Sequence, residues 1–112
     1  MSVEDLVAQL RELGCADARV QGQFALFSFQ VPIGARAGEA FLIGLPASDF
    51  PLNPPGGPHV NPGFDHPGGN NHASDLGDGW RYWSRPFPGW PQTDRSASAY
   101  LSHLRRLFSQ VV

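Results

Sequence analysis

The middle of the chain is too rich in proline and glycine to form long regular elements. Residues 46–91 hold ten of the eleven prolines and eight of the thirteen glycines. Proline lacks a backbone N–H, so no long helix or regular strand is expected to cross this stretch. Its His59–Trp90 part also holds three of the four histidines and all three tryptophans. Because disordered segments are poor in aromatic residues, we predict an ordered functional loop here, carried by a scaffold of the flanking residues.

The two ends of the chain have the periodicity of amphipathic helices. Apolar residues recur at helical spacing over residues 3–13, and Ser2 is placed to cap the N-terminus of this helix. A second set recurs at helical spacing over residues 97–111, with Thr93 or Asp94 as the expected cap. Each helix has one apolar face, so each must pack against another layer of the domain.

The segment after the first helix has the pattern of strands. Residues 18–23 form a short segment in which apolar and polar residues alternate. Residues 24–33 alternate so that one face is apolar, and residues 39–45 are nearly all apolar. His59–Asn61 is a candidate short fourth strand. A helix followed by an antiparallel meander and a closing helix is an α+β layout, and 112 residues suffice for one such domain with a single core.

Charge and composition exclude several classes of function. A net charge of -2 offers no basic surface for nucleic acid. No apolar run approaches the length of a membrane span, and the acidic, amphipathic N-terminus is unlike a signal peptide. A single cysteine, Cys15, excludes an internal disulfide and fits a reducing compartment. A cytoplasmic protein that binds neither nucleic acid nor membrane is therefore expected.

All eight basic residues are arginine, and the chain contains no lysine. A GC-rich genome accounts for this bias without any functional cause. The alternative is an enzyme that handles an acyl group reactive toward lysine and benefits from offering no lysine of its own.

Three short motifs follow one another through the stretch: Phe50-Pro51-x-x-Pro54-Pro55, His66-Pro67 and Trp90-Pro91. Together with the helices and strands, they resemble the ubiquitin-conjugating enzyme fold. In that family a Tyr/Phe-Pro-x-x-Pro-Pro segment precedes the active-site flap, His-Pro-Asn follows it, and a tryptophan and proline lead into a helix. The resemblance covers nearly the whole chain and implies a minimal version without two further C-terminal helices. Trp83-Ser84-Arg85 is similar to the prokaryotic ubiquitin-conjugating-like proteins of bacterial ubiquitin-like modification operons.

The resemblance implies two partners, a ubiquitin-like protein and an adenylating activating enzyme, and no cofactor. It also implies a catalytic cysteine between His66 and Trp90, where this chain has none. His-Pro-Asn is altered as well, and reads His66-Pro67-Gly68-Gly69-Asn70. Either the chain is a catalytically inactive module that binds a ubiquitin-like protein, or a serine replaces the cysteine and carries the acyl group as an oxyester.

Two serines lie in the window of the missing cysteine. Ser84 stands six residues before Trp90, near the position of the family's cysteine relative to its tryptophan. Arg85 beside it is a candidate to stabilise an oxyanion. Ser74 is the second candidate nucleophile and lies nearer to His66-Pro67. A serine hydroxyl needs an adjacent base to react at neutral pH, and the alternative role of either serine is a hydrogen bond to nearby backbone.

The histidines and asparagines of the window supply the other candidate groups. His72 is the candidate general base, because the ordinary pKa of histidine lies near neutrality. The resemblance implies that His66 holds the loop through side-chain hydrogen bonds. It also implies that Asn70 or Asn71 polarises the acyl carbonyl, since one of them replaces the family's asparagine.

Two further readings of the site residues stay open. A zinc hydrolase would draw its ligands from His59, His66, His72, Asp65 and Asp75, although their spacing matches no standard zinc signature. Cys15 at the end of the first helix is a minor candidate nucleophile, since free cysteine often behaves as a small buried hydrophobe.

The aromatic residues before Trp90 alternate with polar ones. In an extended backbone Trp80, Tyr82 and Ser84 share one face, and Arg81, Trp83 and Arg85 share the other. Such aromatic side chains either fill the core or, where exposed, anchor a protein partner.

Overall fold

Two helices and six strands form over residues 2–111, the part of the chain that this computed structural model describes. The helices are α1 (Val3–Glu12) and α2 (Ala97–Ser109). The strands are β1 (Arg19–Gln21), β2 (Phe24–Gln30), β3 (Ala40–Pro46), β4 (His59–Asn61), β5 (Asn71–Ala73) and β6 (Arg81–Trp83). A single 3-10 turn, Trp90–Gln92, precedes α2. The predicted α+β class is confirmed.

The ends of α1 follow from its terminal residues. The hydroxyl of Ser2 accepts a hydrogen bond from the backbone N–H of Asp5 at 3.3 Å, as the capping prediction required. Past the C-terminus, Gly14 has a φ of +99°, a left-handed conformation that glycine adopts without steric cost. This turn lets the N–H of Cys15 donate to the carbonyl of Leu10 at 3.0 Å, which closes the helix.

The cap of α2 differs from the prediction. Ser96, and neither Thr93 nor Asp94, is the N-cap, and its hydroxyl accepts a hydrogen bond from the backbone N–H of Ala99 at 3.2 Å. The Asp94 carboxylate instead accepts from the Ser96 hydroxyl at 2.6 Å, and the Thr93 hydroxyl donates to the carbonyl of Trp90 at 2.8 Å. The two predicted caps therefore order the turn before the helix.

All six strands join one antiparallel sheet in the order β1-β2-β3-β4-β6-β5. Both helices have buried faces, α1 contacts β1 and β2, and the two helices contact each other. The sheet face with the buried residues Phe27, Ile43, Val60 and Trp83 belongs to the same core. We call the opposite side of the sheet the outer face.

The His59–Trp90 stretch is not one continuous loop, because it contributes three strands to the sheet. β5 and β6 lie in its two longest runs without proline or glycine, residues 70–76 and 80–85. Each of these strands has only three residues, so the absence of long regular elements was predicted correctly. The pairing of β6 between β4 and β5 was not predicted.

Two tryptophans tie the stretch to the rest of the domain. Trp83 is fully buried, and its indole N–H donates to the carbonyl of Phe64 at 2.7 Å. Trp90 is also buried, and its indole N–H donates to the carbonyl of Pro51 at 2.9 Å. The proline-rich segment around Phe50 is thereby joined to the start of α2. Neither α1 nor α2 has the length and apolar character needed to cross a bilayer.

Candidate functional site

Ser84 lies in a depression of about 430 Å³ at the end of β6. Residues 54–57 line one side, and Asn70, Tyr82 and residues 84–87 line the rest. Tyr82 and Ser84 share this side of the sheet while Trp83 is buried on the other, as predicted, but Arg85, which was predicted on the face of Trp83, also lines the depression. The backbone N–H of Ser84 donates to the carbonyl of Asn70 at 2.9 Å. Within residues 2–111, no hydrogen bond engages the Ser84 hydroxyl.

The backbone around Ser84 is held by the proline-glycine segment. The N–H of Trp83 donates to the carbonyl of Pro58 at 2.9 Å, and the N–H of Arg85 donates to the carbonyl of Gly57 at 3.3 Å. These bonds extend the β4–β6 pairing and bring Pro54 and Pro55 to the rim of the depression. Segments about 30 residues apart in sequence therefore meet at Ser84.

Arg85 holds the turn at residues 66–70. Its guanidinium donates to the carbonyl of Gly69 and lies directly against Gly68. A Cβ atom at Gly68 would stand 2.5 Å from the guanidinium, so a larger residue there would have to displace the Arg85 side chain. Gly69 has a different reason to be glycine, because its φ of +86° lies in the left-handed region. The predicted oxyanion role of Arg85 stays a prediction, with its side chain placed on this turn.

His66 is buried, and backbone groups engage both of its ring nitrogens. Nδ1 accepts a hydrogen bond from the N–H of Gly68 at 3.0 Å, so Nε2 carries the proton and donates to the carbonyl of Leu107 at 2.9 Å. The Asn71 side chain pairs with the backbone N–H and carbonyl of His66 at 2.8 and 3.0 Å. Burial lowers the pKa of His66 and favours the neutral ring. These contacts agree with the loop-holding role that the resemblance implies.

Ser74 is hydrogen-bonded to a histidine that was not predicted as its partner. The distance between Ser74 Oγ and His59 Nδ1 is 2.7 Å, and the same hydroxyl accepts from the N–H of Leu76 at 3.0 Å. His59 lies between Tyr82, stacked at 4.6 Å, and Phe24, in edge contact at 5.0 Å. No local sequence pattern signals this pair, because it depends on how β4, β6 and β5 align.

His72, the predicted general base, lies on β5 with its side chain exposed. Its ring lies 5.6 Å from that of Tyr82, its cross-strand neighbour. In the described chain no hydrogen bond joins His72 to Ser84 or to Ser74. The structure therefore does not assemble the predicted serine–histidine pair around His72.

The geometry gives little support to a zinc hydrolase or to Cys15 as the nucleophile. Over residues 2–111 no three histidine, cysteine or acidic side chains are grouped so that they could hold a metal ion. The ring nitrogens of His66, one of the five candidate zinc ligands, are engaged by backbone groups. Cys15 is half-buried beside the core, and burial raises the pKa of its thiol, which lowers the fraction of reactive thiolate.

A second cavity, of about 450 Å³, lies on the outer face on the other side of Tyr82. We call it the ring cavity, because the rings of Phe24, His59, His72 and Tyr82 line it. Gln23 and Asp75 supply its polar groups. Tyr82 thus separates the ring cavity from the depression that holds Ser84.

The buried ring of His59 leads to a prediction about acid stability. Burial lowers its pKa to about 4, although the nearby Asp75 carboxylate opposes this shift. In the unfolded chain this histidine takes up a proton near its ordinary pKa of about 6.5, so acid favours unfolding. The contribution of His59 is fully present above that value and is lost as the pH falls toward 4. We expect the free energy of unfolding to fall by about 2 kcal/mol from this residue between about pH 7.5 and pH 5.

Urea unfolding at the two pH values measures this loss, and NMR titration of the His59 ring protons measures its cause. His59→Gln should have a flatter pH dependence than the unmodified chain. A titration midpoint of His59 near 6.5 would contradict the prediction, because the folded and unfolded states would then bind protons alike.

No match was found when the chain was compared with models of protein families, with curated proteins and with solved structures. The family of the chain therefore stays a hypothesis from its motifs.

Proposed function

We propose that this chain is a ubiquitin-conjugating-like transferase that carries a ubiquitin-like protein as an ester on Ser84. The observation that supports the proposal is that parts of two of the family-like motifs lie around the same depression as Ser84. Pro54-Pro55, the turn after His66-Pro67 and Trp83-Ser84-Arg85 all contribute to the depression or to its support.

The shape of the depression suits an extended, small-residue chain terminus. Prolines and glycines form one wall, so few side chains obstruct a peptide that runs along residues 54–57. Tyr82 and Phe87 offer ring surface, while the backbone near Asn70 offers polar groups. A C-terminal glycine tail, the acyl group of a ubiquitin-like protein, fits such a narrow and mixed surface.

The proposed first step transfers the acyl group from the activating enzyme to Ser84. The Ser84 oxygen attacks the carbonyl carbon of the activated terminal glycine, a C–O ester bond forms, and the bond from that carbon to the activating enzyme's leaving group breaks. Ser84 releases one proton, and the leaving group takes up one. In the second step an amine or hydroxyl of the target attacks the ester, and Ser84 recovers its proton.

Ser84 is favoured over Ser74 because its hydroxyl is free to react. The Ser74 hydroxyl accepts from Leu76 and bonds His59, which are structural contacts of a turn. With a pKa of about 4, His59 is also a poor proton acceptor for a serine at neutral pH. Ser84 lacks these constraints, but it also lacks a base, so a bound partner or solvent must take its proton.

The lack of a base at Ser84 favours a second candidate function, a non-catalytic module. Such a module would seat the tail of a ubiquitin-like protein in the same depression and form no covalent bond. It shares the fold, the partner and the binding residues with the first candidate, so only the covalent intermediate separates the two.

Intact-protein mass spectrometry distinguishes these functions. The chain is incubated with ATP, an adenylating activating enzyme and the ubiquitin-like protein that this enzyme activates. The transferase predicts an adduct with the mass of both proteins less one water, stable to thiols and cleaved by hydroxide. The binding module predicts co-elution of the two proteins with no such mass. If neither the adduct nor co-elution is observed, both functions are contradicted.

A further inference from the structure

We propose that the ring cavity binds the guanidinium group of an arginine side chain from a protein ligand. This site is distinct from the Ser84 depression, and the inference does not depend on the proposed transferase function. It rests on the rings that line the cavity, on the charge that faces it, and on the absence of an arginine among the described residues that line it.

The rings form a continuous row across the sheet. His59, Tyr82 and His72 are cross-strand neighbours on β4, β6 and β5, so their side chains lie side by side on the outer face. The His59 and Tyr82 planes are 11° from parallel, and Phe24 meets His59 at 89°. The planar guanidinium stacks on aromatic faces and is attracted to their electron-rich surfaces. His59 is buried between Phe24 and Tyr82, so the half-buried ring of Tyr82 and the exposed ring of His72 are the surfaces that such a group would contact in this cavity of about 450 Å³.

A carboxylate gives the cavity negative charge. Asp75 is an exposed carboxylate at its edge, and no arginine of the chain lines it. In the described residues the acidic partners of arginine are Glu39 and Asp65, so Asp75 is left without an ion pair. The buried ring of His59 stays neutral at physiological pH and adds no positive charge. The carboxylate is therefore available to a cation from outside.

The cavity also offers a directional acceptor for the planar N–H groups of guanidinium. The side-chain amide of Gln23 lies at the cavity and is exposed, so its oxygen can accept one of them. Asp75 can accept two in a bidentate arrangement. A neutral side chain of the same shape could donate N–H groups to the same acceptors but would bring no positive charge to the carboxylate.

The test uses a matched pair of small probes. The first is N-acetyl-arginine methylamide, which carries the charged guanidinium. The second is N-acetyl-citrulline methylamide, in which a neutral urea of nearly the same shape replaces it. Each is titrated into the ¹⁵N-labelled full chain, and amide shifts are followed by NMR. The arginine probe should give saturable shifts at residues 72–75, Tyr82 and Gln23, with an affinity at least about fivefold above that of the citrulline probe.

Variants locate the effect. Asp75→Asn should weaken the arginine probe by about fivefold and leave the citrulline probe unchanged. The matched control is Asp78→Asn, which removes another exposed carboxylate from the same connection between β5 and β6. Asp78 does not line the cavity, so both affinities should stay unchanged. Equal affinities for the two probes, shifts centred outside the cavity, or equal losses in the two variants would each overturn the proposal.

Discussion

Replacing Ser84 by alanine is expected to abolish the hydroxide-labile adduct with the ubiquitin-like protein. The variant removes only the oxygen that forms the ester bond. The Ser84 hydroxyl makes no hydrogen bond in the described structure, so the fold should keep its stability to within about 0.5 kcal/mol. Loss of the adduct in a folded variant would therefore report on chemistry. Adduct mass and urea unfolding are measured on the same preparation.

Two further variants make this result specific. Ser74→Ala should retain the adduct, because that hydroxyl is engaged by His59 and Leu76. Ser84→Cys should restore an adduct, now a thioester that a small thiol cleaves at neutral pH, because a thiol is the better nucleophile. An adduct that persists in Ser84→Ala would remove Ser84 from the mechanism. Persistence in both alanine variants would exclude a serine ester at either position.

Replacing Trp83 by alanine is expected to lower the free energy of unfolding by about 3–5 kcal/mol. The ring of Trp83 is 0% exposed and contacts the rings of Phe64, His66 and Phe108 at centroid distances of 5.2, 5.0 and 5.1 Å. Alanine would leave a large cavity between β6 and α2 and would free the carbonyl of Phe64. Because a domain of this size is stabilised by about 5–15 kcal/mol, the loss is a large part of the total.

Urea unfolding followed by circular dichroism measures the loss without depending on tryptophan fluorescence. Trp83→Phe keeps ring contacts and loses mainly the indole hydrogen bond, so it should cost less than half as much. Trp80→Ala removes the same side chain from a half-buried position just before β6 and serves as the matched control. Equal costs for Trp83→Ala and Trp80→Ala would contradict the central place of Trp83 in the core.

Both helices and the first three strands were predictable, because their periods repeat over seven or more residues or are bounded by turns. Gly14 follows the C-cap of α1 in the left-handed conformation, as expected of a glycine at this position. β5 and β6 were not predicted as strands, because each has only three residues and both lie in the stretch that was predicted to be a loop. Ser96 was missed as a cap for a similar reason, since several adjacent polar residues precede α2.

The candidate site was predictable only as a set of residues. Ser84, the Pro54-Pro55 wall and the turn after His66 were identified from motifs, and the structure brings them together. His72 was predicted as a base from its residue type and its place in the chain, yet its ring lies beside Tyr82 and makes no hydrogen bond to Ser74 or Ser84 in the described structure. The histidine that does contact a serine is His59, which lies fifteen residues before Ser74.

The sequence by itself determined the class of the fold, its helices, its first strands and the short run of residues in which chemistry was expected. These features depend on local backbone preferences and on the period of apolar residues. Both are set by residues that are close together in the sequence. Only the tertiary structure decided that β6 lies between β4 and β5, that His59 bonds Ser74, and that Tyr82 separates two cavities. Those features depend on which strand pairs with which and in what register, and a shift of one residue would have turned Ser84 and Tyr82 toward the core and Trp83 toward solvent.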